Sequence, residues 1–217
     1  MATLHFHFDF ISPYAYLGWT QIHALAERHA ADVEPIPTLF GALLDVSGIL
    51  GPGEIPAKRR YLFKDTSRTA SVFGVPFRPP PAHPYSPLLA LRVASIPRQR
   101  DDKRRLIDAL FNAAWGDGTG IDTKERVASV LTRAGFDAEL ELERAVTDEV
   151  KSRLRAQTED AIARGVFGVP TSRVGDELFW GVDSFGHLER HLAGSDPIAG
   201  WDPKMFDAPI AMVRAKK

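Results

Sequence analysis

Hydrophobic and polar positions alternate from residue 3 to residue 10, with Leu4, Phe6, Phe8 and Phe10 on one side and His5, His7 and Asp9 on the other. That period of two predicts a half-buried strand. After Ile11 the period lengthens: Tyr16, Leu17, Ile22, Leu25 and Ala26 recur at helical spacing to about His29. Ser12-Pro13 suits the start of this helix, because a serine oxygen caps free backbone N–H groups and proline fits the first helical position. A second strand is expected over 33–40. Pro35 and Pro37 each remove a ladder donor there and argue against a central place in the sheet.

From Asp45 to Pro87 the chain is rich in glycine and proline around one helical piece near 57–73, and 79–84 reads as an extended proline loop. Helical patterns then dominate 86–164. They include Lys103 to Trp115, Lys124 to Ala134 and Asp148 to Arg164, the last two followed by Gly135 and Gly165 as left-handed caps. Thr171 to Val174 and Leu178 to Trp180 predict a hairpin turning at Gly175-Asp176, and Asp183 or Ser184 is expected to cap a last helix running to Leu192. No periodicity continues past Gly194. The order β-α-β, helical stretch, β-β-α predicts an α/β fold whose two outer segments share one sheet, with an all-helical insertion beside it. The expected division is 1–44 with 165–193, an insertion over 45–164, and a tail over 194–217.

Composition narrows the chemistry. The 217 residues, 44% hydrophobic and 25% charged, can bury a substantial core. Lys and Arg total 27 against 28 for Asp and Glu, which gives no electrostatic reason to expect nucleic acid or an anionic membrane as partner. No apolar run approaches the roughly 20 residues that span a bilayer, and the start lacks the pattern of a signal peptide, so a cytoplasmic protein is expected. There is no cysteine. Thiolate metal sites and dithiol redox chemistry are excluded, and any sulfur chemistry must arrive with a ligand.

The segment Phe6-His7-Phe8-Asp9-Phe10-Ile11-Ser12-Pro13-Tyr14-Ala15-Tyr16-Leu17 resembles the opening of 2-hydroxychromene-2-carboxylate isomerases. The likeness continues through Phe111-Asn112-Ala113-Ala114-Trp115-Gly116, Val166-Phe167-Gly168-Val169-Pro170-Thr171 and Gly175-Asp176-Glu177-Leu178-Phe179-Trp180-Gly181, so it covers residue 3 to about 193. These enzymes are related to kappa-class glutathione transferases and periplasmic disulfide oxidoreductases. The resemblance implies a thioredoxin-like fold with a large all-helical insertion, glutathione as cofactor, a small-molecule substrate and a homodimer. Gly51-Pro52-Gly53-Glu54 and Leu43-Leu44-Asp45-Val46 depart from the naphthalene-pathway isomerases at positions that contact their aromatic substrate. The chain looks closer to the broader bacterial set of isomerase-like proteins.

Carried onto this sequence, the resemblance makes Ser12 the residue that positions the glutathione sulfur. A free thiol has a pKa near 8.5, and lowering it by about two units requires a preference for the anion of about 2.7 kcal/mol. A hydrogen bond to a charged group contributes about 1.5–3 kcal/mol, and a helix N-terminus up to about 2 kcal/mol when partly buried. One hydroxyl at a first helical turn therefore suffices. The plainer reading is that Ser12 only caps its helix. The resemblance also implies a cis bond at Val169-Pro170, with the Val169 backbone taking a tripeptide by strand addition. It further implies that Trp180, Gly181, Val182, Asp183 and Ser184 hold the γ-glutamyl end, where backbone N–H groups suit a carboxylate and Asp183 an ammonium.

Substrate contacts are expected from Lys58, His83, Tyr85, Asn112 and Trp115. The last two, three residues apart, should share one helix side; the alternative for them is core packing and a helix–helix hydrogen bond. No metal site is expected. His187 and His191 have helical i, i+4 spacing without a third ligand, His5 and His7 read as structural, and Gly116 to Gly120 lacks the Gly-Lys-Ser/Thr that ends a phosphate loop. The function expected is a glutathione-dependent isomerase acting on an aromatic-derived conjugated 2-oxo acid. A kappa-like transferase and a non-catalytic thioredoxin-fold binding protein are the alternatives.

Overall fold

The structure, a computed structural model, describes residues 2–207. Four strands form one sheet in the order β2-β1-β3-β4: β1 (Ala2–Phe8), β2 (Ala31–Pro37), β3 (Thr171–Val174) and β4 (Glu177–Trp180). β1 pairs parallel with β2 and antiparallel with β3, and β3 with β4 form the hairpin. The prolines of β2 lie on an edge strand, where a missing donor does least harm. α1 (Pro13–Arg28) crosses between the two parallel strands, and α9 (Phe185–Leu192) closes the chain's return.

β1 departs from the half-buried expectation. Leu4, Phe6 and Phe8 are fully buried, but His7 on the opposite face is also only 1% exposed. The strand has neighbours on both edges, and Thr38 Oγ1 lies 3.4 Å from His7 Nδ1; burial on both faces is the ordinary condition of a strand inside an α/β sheet. Burial holds the His7 imidazole down to about 4, with Arg173 opposing its charge as well.

Between β2 and β3 run α2 (Phe40–Ser47), α3 (Pro56–Phe73), α4 (Leu88–Ser95), α5 (Arg100–Phe111), α6 (Lys124–Arg133), α7 (Ala138–Ala145) and α8 (Asp148–Ala163). α5 passes directly into a π-helical turn over Asn112–Gly116. The second strand ends at Pro37, short of the expected residue 40, because α2 begins there. Leu39 offers no side-chain cap. Its own N–H is taken instead by Thr158 Oγ1 at 3.1 Å, and that of Phe40 by Asp9 Oδ2 at 3.0 Å. The helix start is thus satisfied by residues far along the chain. Gly135 and Gly165 take positive φ, as left-handed caps require.

One buried cluster joins the sheet to these helices. Phe8, Phe10 and Trp19 meet Phe111 of α5, with the Phe10 and Phe111 ring centroids 4.7 Å apart. The end of β1, where the helix bearing Ser12 begins, is therefore packed directly against the helical segment.

Candidate active site

Ser12 sits at the head of α1 with extended backbone angles, and Pro13 is the first helical residue. Its Oγ accepts from the Ala15 N–H at 3.2 Å and donates to the Val169 carbonyl at 3.3 Å. Val169-Pro170 is cis, so the loop before β3 turns back over the head of α1. That loop is tied down on both sides: the Gly181 N–H donates to the Pro170 carbonyl at 2.9 Å, and Thr171 Oγ1 donates to the Gly168 carbonyl at 2.7 Å. Gly181 has φ of 80°, a conformation that favours glycine.

Residues 9–12 are held almost atom by atom. Ser12 N–H donates to the Asp9 carbonyl at 3.1 Å, and Ile11 N–H to Asp9 Oδ1 at 3.0 Å. Both oxygens of the Asp9 carboxyl are thereby engaged, one by the loop that bears Ser12 and the other by α2. Burial nevertheless outweighs these two bonds and pushes Asp9 up to about 7. The Phe10 carbonyl accepts twice, from Trp115 Nε1 at 2.7 Å and from the Tyr85 hydroxyl at 2.8 Å.

Those last two bonds correct the expectation for Trp115 and Tyr85. Neither lines the cleft beside Ser12. Trp115 is fully buried, stacked on Phe77, and its one donor is spent on a backbone carbonyl. Tyr85 is likewise committed behind the site, and burial raises its phenol well above the usual range. Asn112 is exposed and donates to Asp117 Oδ2 at 3.2 Å. The π turn widens the helix, so spacing of three does not carry Asn112 and Trp115 to one common pocket. The expected cap of the last helix is also corrected. Ser184 flanks α9 in helical conformation and its hydroxyl donates to the Gly181 carbonyl at 2.7 Å, while Asp183 lies in a preceding 3-10 turn and caps nothing.

The cleft has a volume of about 1060 Å³ and is largely apolar. Asp9, Ser12, Tyr14 and Val169 line it at the sheet end, and Phe40, Leu44, Ile49 and Leu50 on the side of α2 and the loop after it. Lys58, Tyr61 and Leu62 of α3 and the half-exposed rings of Phe167 and Trp180 complete the walls. Lys58 is the one cation among the described residues lining it. Tyr14 donates to Asp65 Oδ2 at 2.7 Å, and burial together with that carboxylate raises its phenol. Its proton is therefore not free for a ligand. His83 lines the cleft too, in a second cis X-Pro bond, and burial lowers its imidazole to about 4. Its Nδ1 is buried without a partner.

Of the γ-glutamyl residues expected, only Trp180 lines this cleft; Gly181, Val182, Asp183 and Ser184 form the turn next to it. Reading by motif missed Asp9, Tyr14 and the apolar wall of α2. Asp9 carried one signal, a lone acid ending an otherwise aromatic strand.

A serine at the head of a helix, bonded to the residue before a cis proline at the start of a strand in a four-stranded mixed sheet, defines a thioredoxin-like fold that carries a hydroxyl at this position. The DSBA-like thioredoxin domain model matches residues 3–193. The chain is 30% identical over 206 residues to a 2-hydroxychromene-2-carboxylate isomerase of Pseudomonas sp. (strain C18), covering 90% of this chain and 92% of that protein. It is 29% identical to glutathione S-transferase kappa 2 of Caenorhabditis elegans, covering 94% and 93%. A solved 2-hydroxychromene-2-carboxylate isomerase superposes with a TM-score of 0.81 at 27% identity, over 88% of this chain and 95% of the other. The chain belongs to the DSBA-like thioredoxin-domain family and, within it, to the 2-hydroxychromene-2-carboxylate isomerase family. No helix among the described residues is long and apolar enough to cross a membrane.

Proposed function

We propose that the chain is a glutathione-dependent isomerase of a conjugated 2-oxo acid, with Ser12 as the group that holds the sulfur. The observation that carries this reading is the pairing of the Ser12 hydroxyl with the Val169 carbonyl across a cis proline, at the end of an apolar cleft, in a chain without cysteine. The residues fit the tripeptide. The Val169 backbone offers strand-type pairing, the cleft is large enough for peptide and substrate together, and Trp180 lies against Gly168, where a Cβ would come within 2.6 Å of the indole nitrogen.

When bound, glutathione would supply a thiolate that adds reversibly to the conjugated system and is recovered unchanged. The chain's own residues set the conditions for that chemistry. Ser12 lies at the positive end of α1, is itself only 8% exposed, and can donate one charge-assisted bond. Tyr14 cannot share the task because its proton is held by Asp65. Lys58 would fix a substrate carboxylate in otherwise apolar walls, and neutral His83 would donate its ring N–H to a carbonyl or hydroxyl oxygen. Asp183 and the turn around it would take the γ-glutamyl end. The proposal includes a homodimer in the cytoplasm and the division into a core of 1–44 with 165–193 and a helical insertion of 45–164.

Titrating the thiol of bound glutathione in wild type and Ser12→Ala tests the reading. A thiol lowered in wild type and restored in the variant is expected; equal values in the two would remove Ser12 from the mechanism. Turnover of 2-hydroxychromene-2-carboxylate against conjugation of chlorodinitrobenzene separates an isomerase from a transferase.

A further inference from the structure

Ser12 has one proton and two places to put it. Its Oγ already accepts from Ala15 N–H, a bond that fixes the oxygen without using the proton. The proton points at the Val169 carbonyl, 3.3 Å away, which is long for an O–H···O bond. A second acceptor of greater strength would take it over, and an anion is such an acceptor. The Val169 carbonyl must then find another donor or remain unsatisfied, in a residue only 7% exposed. Neither neighbouring side chain can supply one. Tyr14 is committed to Asp65, and Thr171 to the Gly168 carbonyl. The replacement has to come from the ligand.

We infer that the Ser12 hydroxyl is exchanged between two acceptors, and that the N–H of a bound peptide is what releases it. The inference rests on the glutathione reading above and deepens it: the same carbonyl that recognises the peptide withholds the activating proton until the peptide is in place. As the ligand's cysteinyl N–H bonds to Val169 O, the carbonyl loses its need for Ser12. The Ser12 O–H turns to the sulfur, and the thiol proton passes to bulk water. No covalent bond of the protein changes. Activation of the thiol is therefore conditional on peptide recognition, and a small thiol that merely reaches the cleft meets a hydroxyl still held by Val169. The fixed geometry of the loop favours such an exchange, since Asp9, Trp115 and Tyr85 hold the backbone of residues 10–12 while the hydroxyl alone rotates.

The test compares glutathione with its depsipeptide, in which an ester oxygen replaces the cysteinyl N–H and leaves the shape almost unchanged. Each is bound to the whole protein at saturating concentration, and thiolate absorbance is followed against pH. Glutathione should ionise at least about one pH unit lower than the ester, a tenfold difference in ionisation constant. In Ser12→Ala that difference should vanish, and in Ser12→Thr, which keeps a hydroxyl, it should return. Equal lowering of both thiols in wild type overturns the exchange while leaving the glutathione reading intact. A thiol not lowered even in bound glutathione takes down both. If the ester binds too weakly to saturate, 2-mercaptoethanesulfonate serves as the thiol without an N–H: ionisation above that of bound glutathione supports the exchange, and equal lowering overturns it.

Discussion

The two sides of the cleft are built on opposite principles. On the sheet side, four consecutive residues from Asp9 to Ser12 have their polar groups assigned to partners in α1, α2, the π turn and the proline loop, at 2.7–3.3 Å. On the helical side, α2 and α3 present aliphatic and aromatic surface, and Ile49, Leu50 and Tyr61 are more than half exposed. Hydrogen bonds are directional and fix an atom to a few tenths of an ångström, whereas apolar contact is tolerant of shape. The first kind suits the one oxygen proposed to meet a sulfur. The second suits a wall that accepts apolar groups of more than one shape.

Mutations that cross this divide should break the contrast in a graded order. Trp115→Ala removes a fully buried ring and one of the two donors on the Phe10 carbonyl; a loss of about 3–5 kcal/mol in denaturant stability is expected. Trp115→Phe keeps an aromatic ring and removes the bond with part of the packing, at a cost of about 1–3 kcal/mol, so its difference from alanine isolates most of the ring's contribution. Ser12→Ala should leave stability within about 1 kcal/mol and raise the bound thiol's pKa by one to two units, for about 1.5–3 kcal/mol of lost anion preference. On the apolar side, Lys58→Met should raise KM for a carboxylate substrate about tenfold with little change in kcat, the mark of a group that binds ground and transition state alike.

A pH comparison sharpens the same point, with an effect spread over several pH units. Asp9 is raised from its ordinary value near 3.8 to about 7 by burial. A group whose folded pKa is raised contributes stability that is complete below its unfolded value and is lost as the pH rises through the folded one. Wild type should therefore lose stability relative to Asp9→Asn between about pH 4 and 7, by at most about 1.4 kcal/mol per pH unit. The lowered imidazoles of His7, His23 and His83 act in the opposite direction below about 6.5, so the quantity to measure is the difference between the two proteins. A difference that is flat with pH would mean Asp9 keeps its charge at an ordinary cost. Least affected of all should be Trp180→Ala. Its ring is 55% exposed, and a stability change within about 1 kcal/mol is expected, with loss of whatever fluorescence response glutathione evokes.

What could be read in the sequence follows the same divide between local and distant causes. β1, the Ser12-Pro13 helix start, the glycine caps and the β3–β4 hairpin were legible because each depends on neighbours within a few residues. The edge position of β2 was legible from its prolines. α2 was not, because its first N–H groups are met by Asp9 and Thr158, 31 and 119 residues away. Trp115 and Tyr85 were expected to face a substrate and instead turn to the Phe10 carbonyl, 105 and 75 residues distant. Spacing on an ideal helix cannot anticipate a π turn.

The doubly occupied Phe10 carbonyl bears on how the protein is made. The tyrosine and tryptophan that set the conformation of residues 10–12 follow Phe10 in the chain by 75 and 105 residues, and the valine facing the hydroxyl follows Ser12 by 157. During synthesis this stretch is therefore made well before the residues that hold it, and a product truncated ahead of Trp115 would lack the bond that helps to fix the backbone next to Ser12.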